Sequence, residues 1–282
     1  MSRPQAPRPL TLFAGLAAAL ALAAAALFLP PGIDWQQTFR PAALATLGGA
    51  SPYTATPAAP YAGAPWGLWL LLPFALMPES LGRALHFAAA LLAFAYAARR
   101  LGGGPWGVGL VVASPPVVHC LLNSNVDWMP VLGFVLPPQW GLFLIAVKPQ
   151  IGFTVALWWL VAAWRQGGWR QAWRVFAPVT AALALSLLVY GPWPLNSLEI
   201  ARMSTGWNAS LWPMSLPVGL GLLWASLRRQ DQRYAMGAAP CLSPYVLFHA
   251  WSGAVAALAA NPGELAAVVA GLWILVGLRA FA

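Results

Sequence analysis

Residues 10–29 read Leu-Thr-Leu-Phe-Ala-Gly-Leu-Ala-Ala-Ala-Leu-Ala-Leu-Ala-Ala-Ala-Ala-Leu-Phe-Leu, without one charge in the run. A helix rising about 1.5 Å per residue over that length covers the ~30 Å hydrocarbon core of a bilayer. The rest of the chain has the same character. Of 282 residues 60% are hydrophobic and only 7% charged, with mean hydropathy +0.69; a soluble domain carries about 25% charged residues. The expectation is an all-α, polytopic transmembrane bundle forming a single domain over 1–282. A cleaved secretory signal is the competing reading of 10–29. Its apolar core would exceed the usual ~7–15 residues, which favours an uncleaved anchor.

The net charge of +9 does not point to nucleic acid. The basic residues are scattered at the ends of apolar segments, where they orient helices in a bilayer. Seventeen tryptophans suit interfacial belts. Cys120 and Cys241 have no metal-binding spacing and make no disulfide framework. Arg, Ala and Pro are plentiful and Lys148 is the single lysine, a usage that suggests a GC-rich bacterial source and hence the inner membrane.

Outward from the first span comes 30–53, Pro-Pro-Gly-Ile-Asp-Trp-Gln-Gln-Thr-Phe-Arg through Ser-Pro-Tyr, which holds Asp34, one of six acids. Two roles are open to it. Gln37 stands three residues on, so Asp34 fits the first position of a capping box; a carboxylate at the lipid–water boundary also suits a base that meets a lipid-borne substrate. Trp35, Phe39, Leu44 and Leu47 recur at near-helical spacing and predict interfacial helices within an outer loop covering 30–65. The stretch 66–77 is apolar but short, with Pro65 and Pro78 at its borders and Pro73 inside. It predicts a re-entrant or in-plane helix. The remainder, 80–282, divides into apolar segments 80–98, 106–118, 126–136, 140–147, 151–164, 175–190 and 211–227 with two or three more beyond, about ten helices in all.

Alternating these segments across the membrane sorts the charges. Arg3, Arg8, Arg99, Arg100, Arg165, Arg170, Arg174, Arg228, Arg229 and Arg233 fall on the cytoplasmic side, as the positive-inside rule requires. Arg40, Arg83, Lys148 and Arg202 remain outside with Asp34, Glu79, Asp127 and Glu199. Rare charges from distant positions gathered at one side suggest a shared site, because ionisable groups at membrane depth are costly. Lys148 is the hardest to explain as a solvated residue, since it interrupts an otherwise apolar run from 140 to 164.

Several short motifs occur in order over 30–250. They are the acid after the first span, Ser51-Pro52-Tyr53, Ala64-Pro65-Trp66 leading to Leu-Leu-Leu-Pro, and Ser114-Pro115-Pro116. Further along come Asn123-Ser124-Asn125-Val126-Asp127, Lys148-Pro149-Gln150, Asn208-Ala209-Ser210-Leu211, and Ser243-Pro244 followed by His249. This order resembles the polyprenyl-phosphate-sugar-dependent glycosyltransferases of the GT-C superfamily, and within it family 87, the polyprenyl-phosphate-mannose mannosyltransferases. The chain departs from that family in being shorter than typical members. Ala64-Pro65-Trp66 stands where the family has Tyr-Pro-Pro, and Asn-Ser-Asn replaces its Gly-Gln turn.

The resemblance implies a helical transmembrane fold with its active site on the extracytoplasmic side. It also implies a polyprenyl-phosphate sugar donor, a lipid or glycan acceptor, and an acid in the first outer loop as catalytic base, a role that maps onto Asp34. Chemistry of this kind needs a base for the acceptor hydroxyl and cations for the departing phosphate. Lys148 is the first choice for the phosphate, Arg202 the second and Arg40 the third, although Arg202 also stands i,i+3 from Glu199 in a plain surface ion pair. Tyr53, Asn125, Gln150, Asn208 and His249 are the expected lining. His249 and His119 are each as readily satisfied core residues, and Asp127 fits a helix cap. No metal and no cofactor are expected, because no His or Cys cluster and no closely spaced acids occur. The rival class is a non-catalytic polytopic protein, such as a transporter, a lipid-handling scaffold or a degenerate family subunit.

Overall fold

The computed structural model describes residues 32–56, 59–196 and 208–280, with isolated positions 17, 20, 21, 24, 25, 27, 28, 198 and 206. Most of the expected first span, and both Glu199 and Arg202, lie outside the described residues. Within them the chain is helical and contains no strand.

A π-helical turn, Trp35–Phe39, runs directly into α1 (Arg40–Leu47). Then follow α2 (Trp66–Ala75), α3 (Glu79–Arg100), α4 (Pro105–Val112), α5 (Pro115–Asn123), α6 (Trp128–Gly133), α7 (Pro138–Ile145) and α8 (Pro149–Tyr190). The remaining elements are α9 (Leu216–Arg229), α10 (Gln232–Leu242), a 3-10 turn (Phe248–Trp251), α11 (Ser252–Ala257) and α12 (Pro262–Ala280). Proline opens α4, α5, α7 and α8, where its fixed φ suits the first turn and its missing N–H costs nothing.

Among the described residues three helices, α3, α8 and α12, are long and apolar enough to cross a membrane. The pair α4 and α5, bent by 56°, makes a fourth if it is one broken span. Only 17% of the apolar window of α8 and 11% of that of α12 is buried within the protein. Leu188, Val189, Ile274 and Leu278 are among the bulky residues left exposed there, a surface that suits lipid and not water.

A straight 42-residue helix would be about 63 Å long, twice a bilayer core. α8 is not straight: Gly167 and Gly168 have non-helical backbone angles. Both ends of α8 reach the same loop, 30–65. Before its start, Val147 lies so close to Gly63 that a Cβ there would stand 2.7 Å from the Val147 carbonyl oxygen. At its end, the Tyr190 ring packs 5.9 Å from that of Tyr53, whose hydroxyl donates to the carbonyl of Gly63 at 3.0 Å. The helix therefore doubles back at its glycine pair, with Arg165, Arg170 and Arg174 around the bend.

α6 and α7 correct an expectation. Segments 126–136 and 140–147 were expected to cross singly, but their helices have six and eight residues, about 9 and 12 Å. They form one hairpin. Its arms meet backbone to backbone, since a Cβ on Gly141 would lie 2.4 Å from the Gly133 carbonyl oxygen. Glycine permits that approach, a common device between membrane helices. The hairpin leaves from Asp127 and returns to Lys148, so its two tips adjoin.

The bundle thus has a basic end and a mixed-charge end. Arg165 donates to the Leu227 carbonyl at 3.1 Å, joining the α8 bend to the end of α9 near Arg228 and Arg229. Arg83, near the start of α3, donates to the Leu122 carbonyl at the other end. Single cysteines at Ser51 and Gln166 should accordingly react with a membrane-impermeant maleimide from opposite sides of sealed vesicles. Labelling of both from one side would contradict this arrangement.

Candidate functional site

Five polar side chains from four separate segments meet at the mixed-charge end: Asp34, Asn125, Asp127, Lys148 and His249. The local chain explains how each gets there. α5 ends on Ser124, which is left-handed at φ 53° and ψ 45°. This turn points Asn125 back into the bundle before α6 begins. Gly32 lets the outer loop lie directly on the end of α5, since a Cβ there would come 2.6 Å from the Asn123 carbonyl oxygen. Asp34 follows two residues later.

The hydrogen bonds fix their own polarity. Asn125 Oδ1 accepts from Lys148 Nζ at 2.6 Å and from the Val126 backbone N–H at 2.7 Å. Both partners are donors only, so the amide cannot be turned round. Asn125 Nδ2 then donates to Asp34 Oδ2 at 2.6 Å and towards His249 Nε2 at 3.1 Å. On the other side of the ring, His249 Nδ1 lies 2.5 Å from Asp127 Oδ2, and Lys148 Nζ lies 2.5 Å from Asp127 Oδ1. A carboxylate accepts, so the ring carries its hydrogen on Nδ1 and offers a lone pair at Nε2, 3.9 Å from Asp34 Oδ2.

Burial grades the network. Asp127 is fully buried, His249 nearly so, Lys148 is 13% exposed and Asp34 31%. Burial by itself pushes the Asp127 carboxyl up, but the His249 and Lys148 partners outweigh it and hold the group well below the usual carboxylate range. Lys148 uses two of its three N–H bonds here. Asp34 Oδ1 has no hydrogen-bond partner among the described residues. His119 is exposed and stacks on His249, with ring centroids 5.5 Å apart and planes at 22°. Asn123 lies 3.4 Å from the His119 ring and completes this rim.

The structure thus brings together Asp34, Lys148, Asn125 and His249 from the sequence expectations, and adds Asp127. Neither acid is a cap: no side-chain cap bond forms at Asp34 or Asp127. The other expected lining residues stand apart. Arg40 reaches the Met77 carbonyl at 3.4 Å, between α2 and α3. Tyr53 is buried in the outer loop, stacked on Trp193 with ring centroids 5.6 Å apart. Asn208 clamps two loops, donating to the Pro244 carbonyl and accepting from the N–H groups of Ser210 and Val246. Gln150 follows Lys148 at the start of α8, where its backbone carbonyl accepts from Ser243. Arg202 lies outside the described residues. Among the described residues no group of three or more His, Cys, Asp or Glu could hold a metal ion.

One residue absent from the sequence reading stands behind the site. His86, on α3, is wholly buried and stacks on Trp35, and it accepts a hydrogen bond from the Trp128 indole N–H at 3.0 Å. The signal that could have found this floor is the repeated dipeptide, Asp34-Trp35 and Asp127-Trp128.

Comparison with known proteins finds no match, whether by family model, among curated proteins or among solved structures.

Removing one member of a buried ion pair costs more than the pair is worth. Lys148→Met should destabilise the protein by about 3–5 kcal/mol, measured by denaturant or thermal unfolding in detergent. Asp127→Leu combined with Lys148→Met should recover part of that loss. The pH dependence has a definite sign. A carboxylate with a lowered folded pKa contributes stability above its unfolded value, near pH 4, and loses it as pH falls further. Below about pH 4 the wild-type melting temperature should therefore fall more steeply than that of Asp127→Asn.

Proposed function

We propose that this chain is an integral membrane glycosyltransferase of the GT-C type. In this reading it moves a sugar, for example mannose, from a polyprenyl phosphate to an acceptor hydroxyl with inversion, at the extracytoplasmic face of a bacterial inner membrane. The reading includes a GT-C-like bundle of about ten helices, several of them re-entrant. The observation that carries it is Asp34. It is the most exposed member of the network, anchored through one carboxylate oxygen, the other having no partner among the described residues, beside a lysine with a donor to spare.

In the proposed reaction the acceptor oxygen attacks the anomeric carbon and forms the new glycosidic bond. The bond from that carbon to the phosphate oxygen breaks, and its electron pair leaves with the polyprenyl phosphate. Asp34 takes the hydroxyl proton. A single carboxylate suffices, because a phosphate leaving group needs no acid. Lys148 supplies charge for the departing phosphate, while Asn125 holds Asp34 in line with the His249–Asp127 pair.

A second reading has its own support. Ionisable groups run almost unbroken from the half-exposed Asp34 through His249 to the buried Asp127 and Lys148, a pattern that also suits a proton relay in a transporter.

Asp34→Asn separates the two. The asparagine can still accept from Asn125 but cannot take a proton. The glycosyltransferase reading expects normal melting, normal donor binding and turnover lower by about 10²–10⁴-fold with a polyprenyl-phosphate sugar. Unchanged turnover in a folded Asp34→Asn protein would defeat the base assignment. Absence of turnover in wild type, together with proton-driven flux in liposomes that the variant loses, would favour the relay.

A further inference from the structure

His86 touches neither carboxylate, yet it engages the residue that follows each. Asp34 is joined to Trp35, whose ring lies on the imidazole of His86 with centroids 5.3 Å apart and planes at 16°. Asp127 is joined to Trp128, whose indole N–H donates to His86 Nε2 at 3.0 Å. Phe74 closes the remaining side edge-on, 5.7 Å away. Trp35 and His86 are fully buried and Trp128 nearly so. Asp34 lies in the outer loop and Asp127 between α5 and α6, 93 residues further along the chain; α3, which carries His86, belongs to neither. One side chain on a long helix therefore sets the position of both acid-bearing segments, through two different interactions.

We propose that His86 is a positioning residue that holds Asp34 and Asp127 in register across the site. Its two contacts are separable. Phenylalanine keeps a flat ring against Trp35 but cannot accept from Trp128. Glutamine places an acceptor close to the position of Nε2 but gives up the ring. His86→Phe should release Asp127 from its register, and His86→Gln should release Asp34.

The effect on Asp127 can be read without any assumption about activity, because the chain has only three histidines. In full-length protein labelled with 15N-histidine in detergent, the His249 ring should show the signature of a hydrogen on Nδ1 and a lone pair on Nε2. His86→Phe should change that pattern towards mixed tautomers, whereas His86→Gln should leave it as in wild type. Trp128→Phe keeps one aromatic ring and removes the N–H together with the rest of the indole, so it should reproduce the His86→Phe pattern, and combining the two should add nothing. This milder variant decides the matter if His86→Phe does not fold. A wild-type His249 pattern in folded Trp128→Phe would overturn the proposal.

The Asp34 half rests on the glycosyltransferase reading. There His86→Gln should lower kcat by up to about 10²-fold, as a misplacement of an ångström does, with KM within twofold. Unchanged kcat in an active protein would remove that half. A wild type that consumes no polyprenyl-phosphate sugar would instead count against the glycosyltransferase reading, while the nuclear magnetic resonance result stands independently.

Discussion

The constraint on which the rest depends is the burial of Asp127. A carboxylate wholly removed from water loses hydration worth several kcal/mol even after the protein relaxes. It persists only if donors replace that water. Here Lys148 supplies one oxygen's partner and His249 the other's. Satisfying one buried ion in this way imposes demands on three other parts of the chain. The α6–α7 hairpin must return its far tip to its start, so that Lys148 comes back to Asp127. The turn after Ser243-Pro244 must carry a histidine inward. Asn125 must sit between them, because Lys148 and the Val126 N–H both need its oxygen. Of the amide hydrogens left over, one meets Asp34 and the other faces His249 Nε2.

How far this was legible in the sequence depended on the range over which each residue's role is decided. Composition and the arginine clusters act locally, and they were read from the sequence. Lys148 was legible because a charge inside an apolar run has no cheap alternative. Asp127 was not. Followed by Trp-Met-Pro at the head of a helix, it has every local property of a cap, and only its partners 21 and 122 residues away draw it elsewhere. Asp34 was read both ways for the same reason. Arg40 and Asn208 lie among the expected lining yet spend their polar atoms on carbonyls and loops nearby, a choice the sequence does not reveal. His86 was invisible because a histidine in an apolar helix has no distinctive local pattern. Its meaning lies in two tryptophans, one before it in the chain and one after.

The two expected crossings at 126–136 and 140–147 fell short for a different reason. Prolines mark where segments begin and end, but whether a segment crosses depends on its helical length, and loops between prolines absorb much of the apolar sequence. Of the 22 residues 126–147, eight are not helical. The short arms that result are well suited to holding a site. Each brings a charged tip back to the same end of the bundle, and non-helical backbone at membrane depth is tolerated where it is enclosed by protein.

Glycine determines how firmly the half-exposed carboxylate is held. The loop over 30–65 is seated on the bundle at Gly32 and Gly63, where a Cβ would lie 2.6 Å from the Asn123 carbonyl oxygen and 2.7 Å from that of Val147. A loop resting on side chains could shift as they change rotamer. One resting on backbone cannot, because the carbonyls it touches are fixed in helices or at their ends. Gly32 lies against the end of α5, which also delivers Asn125; Gly63 lies against the backbone of Val147, which delivers Lys148. Thus the two contacts that seat the loop are made beside the two residues that Asp34 must face. Its exposed position is combined with a rigid mounting, which preorganised chemistry at a boundary with water requires.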